Sequence, residues 1–558
     1  MKAEKQSDIH QSLIIFGVPL IAVLVLTPFT LDPVNLPKMV LLSTLGFSLV
    51  FFVVKEITIG QRGKTHIYVY LNLLFLLWII FATFFSGSTP VQSFFGVNGR
   101  FTGALTYISF IILALAIFLQ QERSFYQKVW QGLVFAGYIN VVYCGIVIIS
   151  GKDPIPWTNT YGEILGTFGN PNFISSFLGI FIITLFSKVL ENKSSTKFKL
   201  GYIMIILFAF LEILDSRSRQ GIIVVFIGCG SLIVYKVFTS KSATYLKIAT
   251  VSTYVTSGGL TILGMLQIGP LTQFVYKASV SIRGAYWRAG WETMLQNPIL
   301  GVGPDGFGDW YTRVRDERAL VVPGQDVFTN SPHNVFIEQG VNGGIPLFII
   351  YILIQVVILF TALNNLWKRK EFDFLFGASF FGWLGFTAQS LISINQIGLA
   401  IWGPVLGAMT LGLSLENRKK DIENQPTSKD LYSKKSKKVE TKMFFISIGS
   451  IVGLTLSMPV FFADAQYRSA LKSKDVNRII AAADQWPQST DRTISAVKAL
   501  YENKFESQAL DFTRKGLKFN PNSARLWNFL YQLPGATTEE RQDAIKNLKK
   551  LDPAYVVK

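Results

Sequence analysis

Thirteen apolar stretches constrain this chain more than any other feature. They lie at about 12–30, 37–54, 67–85, 103–119, 130–150, 173–190, 200–214, 220–238, 247–268, 344–363, 374–392, 398–415 and 443–462. Several run for about 18 or more largely apolar residues with few charges, and roughly 20 residues of helix cross the hydrocarbon of a bilayer. Half of the 558 residues are hydrophobic and 14% are aromatic, a composition rare in soluble chains of this length. The first run, "SLIIFGVPLIAVLVLTPF", has no small-residue cleavage site after it and a second run follows at once. It therefore reads as a retained span rather than a signal peptide. The expected fold is an all-α polytopic membrane protein of about 13 transmembrane helices.

Charge orients the spans. If they alternate from a cytoplasmic N-terminus, the cytoplasmic segments hold 26 lysines and arginines, while the short loops opposite hold four: Arg100, Lys152, Arg217 and Arg219. Short loops obey the positive-inside bias, so this asymmetry fixes the orientation and accounts for much of the net charge of +18. In a soluble chain that charge would suggest nucleic acid. Two longer parts fall outside: the loop 269–343 and the region from about 463. A Lys-rich linker at 416–442 reads as a cytoplasmic anchor of orientation, with anionic lipid as its sharper partner. The organisation expected is a membrane domain over 1–462 and a helical domain over 463–558.

That last region has a period. "QWP", "FNP" and "LDP" end at Pro487, Pro521 and Pro553, spacings of 34 and 32 residues that match the tetratricopeptide repeat. Apolar residues recur three or four apart between them, as in stacked helix pairs. Such pairs present a surface to a protein partner or serve as a plain helical cap. The two cysteines, Cys144 and Cys229, sit inside apolar runs as packing residues, with no disulfide or metal spacing.

Unusual polar residues gather on the expected outer side. Arg100 ends "GVNGR" before a span and could snorkel to headgroups. Asn170 and Asn172 flank a proline and could only shape a helix start. "DSRSRQG" puts Arg217 and Arg219 in a tight turn, where one could pair with Asp215. The long loop adds Arg283, Arg288 and Asp305. Trp287, Trp291 and Trp310 read as interfacial anchors or loop core, with sugar stacking as the alternative, and the glycines of "GVGPDGFG" read as tight turns. Arginine grips phosphate oxygens bidentately, so arginines on the side that should lack them suit an anionic substrate. Of the three histidines, His10 and His66 fall on the cytoplasmic side, which leaves His333 as the one imidazole outside. It sits in "SPHN" between Pro332 and Asn334, where a loop meets a helix. A structural role and a catalytic one both fit it. Asp305, Asp326 and Glu338 are rival bases.

Taken in order, "GVNGRFTG", "GTFGNPN", "SRSRQG", "RGAYWRAGWETMLQNPILGVGPDGFGDWY" and "SPHNVFIEQGVNGGIPLF" resemble the O-antigen ligase family of membrane glycan transferases. That family overlaps in sequence with Wzy-type polymerases and pilin oligosaccharyltransferases. The resemblance covers roughly residues 90–365. It implies a GT-C-like fold in a bacterial cytoplasmic membrane, with the site on the outer face. It also implies an inverting transfer of a glycan from a polyprenyl (undecaprenyl-type) diphosphate to an acceptor hydroxyl, without metal or cofactor. Its catalytic set here is His333 as base or orienting group, with Arg283 and one of Arg217 or Arg219 on the diphosphate. The doubled "SRSR" leaves that choice open; Arg219 is favoured because "SRQG" places it at the span start, and Arg288 is a second candidate on the loop. Arg217, Arg288, Arg100, Asn170, Asn172 and Asn334 are expected to bind substrate. The acceptor could be lipid, glycan or protein, so a polymerase or a protein O-oligosaccharyltransferase are alternatives.

The chemistry of the residues agrees. A lipid diphosphate leaves readily when arginines stabilise its developing charge, and a histidine with a pKa near ambient pH can take the acceptor's proton late. A transporter of lipid-linked glycan is the rival from another class. It should carry ionisable groups deep in its spans, and these spans are nearly free of charge.

Overall fold

The chain is described here by a computed structural model, over residues 9–59, 66–120, 122–192, 195–276, 278–416 and 435–554. Most of the Lys-rich linker lies outside the described residues. Every regular element among them is helical. Among the described residues, nine helices are long and apolar enough to cross a membrane: Asn35–Thr58, Ile67–Phe85, Arg123–Ser150, Pro171–Val189, Arg219–Phe238, Thr244–Met265, Val335–Lys368, Ile397–Leu415 and Glu440–Ser473. Ile9–Val23 and Ala104–Gln120 are apolar but shorter. Each of the thirteen expected stretches coincides largely with a helix. Cys144 and Cys229 are free thiols within two of these helices. One ionisable group lies deeper than the sequence suggests. Lys38 is fully buried, and its Nζ donates to the carbonyls of Ala22 (3.0 Å) and Thr167 (2.5 Å).

Contacts between the connecting segments form two sets. In one, Asn35 Nδ2 donates to Gly99 O (2.7 Å), Gln396 Nε2 to Asn35 Oδ1 (2.9 Å), Arg100 Nη1 to Asn330 O (2.6 Å) and Arg468 Nη1 to Thr30 O (2.5 Å). These join segments that alternation assigns to the outer side. In the other, Arg123 and Arg369 share Asp373, and Lys236 Nζ donates to Leu190 O (2.7 Å). These join segments assigned to the inner side.

The loop 269–343 is mostly helical. Ala278–Gln296 and Phe307–Val314 build a small core of Tyr286, Ala289, Val302, Phe307, Tyr311 and Val341. The helix after the loop begins at Val335, earlier than the expected 344. "EQGVNGG" is therefore not a plain turn. Asn334 caps the helix, its Oδ1 accepting from Phe336 N (3.0 Å) and Ile337 N (3.2 Å), and such caps fix a helix start. The helix then breaks at Gly343 and Gly344, where Gly344 has φ 70° and ψ −170°. The break is held from outside: Val302 N donates to Val341 O (2.8 Å), Ile345 N to Pro298 O (2.8 Å) and Trp78 Nε1 to Gly343 O (2.7 Å).

Lys435–Ser473 runs unbroken from the bundle into the C-terminal region. The expected boundary at 462 falls within it; Val460 belongs to the bundle core and Tyr467 to a separate tail core. In the tail, Thr490–Glu502 packs on Glu506–Phe519, and Ala524–Gln532 on Thr538–Leu551. Each proline period thus spans one helix pair.

A Cβ on Gly344 would meet the carbonyl oxygens of Ile299 (2.4 Å) and Pro298 (2.5 Å), at a backbone conformation L-residues avoid. Gly344→Ala is expected to destabilise the folded protein by about 1–3 kcal/mol. Thermal unfolding in detergent checks this, and an unchanged midpoint would contradict the strained-hinge account.

Candidate functional site

His333 is held by its own turn. Its backbone has φ 54°, the left-handed region that a non-glycine residue occupies only when its surroundings enforce it. The enforcing bonds are His333 N to Ser331 Oγ (3.2 Å) and Trp287 Nε1 to His333 O (3.3 Å). Nδ1 lies 3.0 Å from the carbonyl oxygen of Ser331. A carbonyl only accepts, so this nitrogen carries the proton and Nε2 keeps the lone pair. The half-buried ring lies 5.1 Å from that of Tyr286, tilted by 31°.

Arg283, Tyr286 and Trp287 occupy one face of the Ala278–Gln296 helix, three and four residues apart. That face meets the His333 turn. Burial, with smaller contributions from the positive charges of Arg283 and Arg100 and against the Ser331 hydrogen bond, pushes the imidazole pKa down to about 4. This corrects the expectation of a pKa near ambient pH: half-buried beside two guanidinium groups, the ring is neutral across the physiological range. Burial also lowers the pKa of Arg283, which has no carboxylate at ion-pair distance among the described residues.

Arg100 sits behind this face. Its guanidinium is buried between Glu338, on the first turn of the His333 helix, and Asp305 (3.5 Å), and it donates to Asn330 O (2.6 Å). Asp305 also accepts from Val97 N (3.1 Å), Thr102 N (3.1 Å) and Thr102 Oγ1 (2.7 Å). Arg100 is thus committed to carboxylates, and two of the rival bases, Asp305 and Glu338, are committed to it. Arg288 turns to Asp316 (2.9 Å), and the exposed Arg217 to Glu163 (3.3 Å) rather than to Asp215.

Arg219 approaches from another direction. Its Nη1 donates to the carbonyl of Tyr276 (3.1 Å), just before the helix that carries Arg283. It opens the Arg219–Phe238 helix, whose cap Ser218 donates to Asn172 Oδ1 (2.8 Å). Asn172 lies in the first turn of Pro171–Val189, which Asn170 caps while donating to Tyr161 Oη (2.9 Å). The two helix starts lie side by side, because a Cβ on Gly221 would already touch the Ser175 carbonyl at 2.4 Å. Both positive dipole ends therefore face the same lip. The three asparagines act as helix caps or cap partners here.

The structure thus gathers His333, Arg283, Tyr286 and Trp287, backed by Arg100, Asp305 and Glu338, with Arg219 reaching the same helix through its approach segment. Tyr286 escaped the sequence reading, and Trp287 was read as an anchor or loop core. Their spacing from Arg283 was the available signal. Among the described residues no three His, Cys, Asp or Glu side chains gather as metal ligands. Such an arrangement can hold an anion and accept a proton from a neutral nucleophile.

Comparison with curated proteins finds no match. The family model Wzy_C, described as O-Antigen ligase, matches residues 202–352. That segment contains Arg217, Arg219, Arg283, Arg288, His333 and Asn334, and it runs from the bundle through the long loop into the His333 helix. Residues 202–352 thus match an O-antigen ligase family domain, within a chain whose apolar helices point to a multi-pass membrane protein.

Proposed function

We propose that the chain transfers a glycan from a polyprenyl diphosphate carrier to an acceptor hydroxyl, on the outer face of a bacterial cytoplasmic membrane. The observation that carries this reading is the fixed tautomer of His333, which keeps the Nε2 lone pair on a turn packed against the helix of Arg283, an arginine with no carboxylate at ion-pair distance among the described residues. Arg283 and Arg219 hold the diphosphate. The acceptor oxygen attacks the anomeric carbon, the carbon–oxygen bond to the diphosphate breaks, and the diphosphate leaves with the electron pair. The acceptor's proton passes to Nε2, and attack from the face opposite the leaving group inverts the anomeric carbon. The arginines stabilise charge that grows as the bond breaks, so they act on the transition state. A low imidazole pKa in the free protein fits this order of events. A bound diphosphate offsets the arginine charge and raises the pKa of the ring toward the range where it accepts a proton. A ligase, a polymerase and a protein O-oligosaccharyltransferase share this chemistry and differ in the acceptor.

Two results are expected with purified protein and lipid-linked glycan. His333→Ala abolishes transfer while membrane level stays normal. In the wild type, the acid limb of kcat/KM lies near pH 4 and that of kcat at higher pH, because the first reports the free protein and the second the complex. Coincident limbs, or wild-type turnover in the variant, would reject the role of His333. Arg283→Ala is expected to leave folding intact and to cut kcat/KM by about 10²–10³-fold, the range for removing one transition-state donor. Arg100→Ala is expected instead to destabilise the protein by about 3–5 kcal/mol, because it strands buried carboxylates. Thermal unfolding beside initial rates separates the two, and the opposite pattern would return Arg100 to the substrate.

A further inference from the structure

The three proline turns of the tail all lie along one edge, and that edge is docked. At "QWP", Trp486 meets Phe95 of the short Pro90–Phe95 helix edge-on, with ring centroids 6.0 Å apart. At "FNP", Asn520 Nδ2 donates to Asp309 Oδ2 (2.9 Å), and Asn522 accepts from Arg313 Nη2 (2.8 Å) and donates to Gly87 O (2.9 Å). At "LDP", Leu551 O accepts from Thr312 Oγ1 (2.8 Å), and Asp552 takes a bidentate pair from Arg315, Nε at 3.2 Å and Nη2 at 2.7 Å. The last two turns converge on one helix, Phe307–Val314, and the residue that ends it. The Arg315–Asp552 pair is the most enclosed contact, with side chains 0% and 4% exposed.

That helix leads to the site by two routes. Tyr311 packs edge-on against Tyr286 (5.7 Å), whose ring lies tilted against that of His333 (5.1 Å). Arg315 Nη1 also donates to Gln325 O (2.7 Å), on the strand of chain that runs down to "SPHN". The helix presses on that strand directly, since a Cβ on Gly308 would meet Asn330 Oδ1 at 2.5 Å.

We propose that the C-terminal helical repeat is a fixed part of the transfer site, a clamp on Phe307–Val314 that sets the position of the His333 ring through Tyr311 and Tyr286. Asp552, Asn520 and Asn522 are its positioning residues, and Arg315 is their anchor. The edge that carries the proline turns is occupied from within the chain, so it is not a surface for recruiting a protein partner. The proposal rests on the reading that His333 serves transfer.

The test compares full-length wild type with Asp552→Ala, and with the milder Asn522→Ala where the first does not accumulate. Kinetics use purified protein, polyprenyl-diphosphate-linked glycan and a range of pH. Per folded molecule, kcat is expected to fall by up to about 10²-fold, the effect of a misplacement near 1 Å, with the donor KM little changed. The acid limb of kcat/KM is expected to move to higher pH as the ring loses its enclosure. A mere loss of folded protein would move neither quantity. Hydrogen exchange supplies a readout that does not depend on activity: residues 307–334 should exchange faster in the variant, while Ala104–Gln120 stays unchanged. Wild-type kcat, pH limb and exchange in Asp552→Ala would overturn the clamp. Absence of transfer by the wild type would overturn the proposed function instead, and the exchange result would still decide the clamp.

Discussion

The buried guanidinium of Arg100 is the interaction on which the rest of the site depends. It ties together three segments that are remote in sequence: the turn before the Ala104–Gln120 helix, the Asp305 turn of the long loop, and the first turn of the His333 helix. Burying an ion triad gains little net stability, because desolvation offsets the attraction. Its value is specificity. Two carboxylates and a backbone carbonyl can share one guanidinium only in a single arrangement of these segments. That arrangement ties Asn330 and Glu338, which flank His333 in sequence, to one guanidinium, and the left-handed turn of His333 lies between them.

Around this anchor the site separates two kinds of arginine. Arg100, Arg217 and Arg288 are bound to carboxylates. Among the described residues Arg283 and Arg219 have no carboxylate at ion-pair distance; Arg283 lies on the Ala278–Gln296 helix, whose Tyr286 and Trp287 meet the His333 turn, and Arg219 donates to Tyr276 O just before that helix. Cations without counter-ions in a half-buried setting are expensive unless an anionic ligand supplies the missing charge. The depressed pKa of His333 follows chiefly from burial, and the charges of Arg283 and Arg100 add to it. The tail adds a further layer, through the Arg315–Asp552 pair and the tyrosines that lead from it to the ring.

Much of this was legible in the sequence because the signals are local. Apolar runs report helices directly, and all thirteen expected stretches coincide with one. The loop-to-helix junction at His333 and the cap chemistry of Asn170 and Asn334 are readable over a few residues. The proline period marked the helix pairs of the tail. What escaped depends on partners distant along the chain. Arg100 looked like a membrane-edge arginine because Glu338, 238 residues away, gave no sign of facing it. Arg288 and Arg283 are alike on paper, and only the position of Asp316 divides them. The early start of the His333 helix was hidden because "VFIEQGVN" is too polar to read as a span. The docking edge of the tail was invisible, since Asn520, Asn522 and Asp552 resemble ordinary turn residues.

The central claim is that Arg283 holds the donor's diphosphate while His333 serves the acceptor at the same anomeric carbon. A cryo-EM structure of the full chain with a polyprenyl diphosphate tests it most directly. The account predicts diphosphate oxygens at hydrogen-bond distance from the Arg283 guanidinium, with His333 Nε2 facing the position of the anomeric carbon. A diphosphate bound instead at Arg288 or Arg217, with Arg283 and His333 left empty, would contradict it.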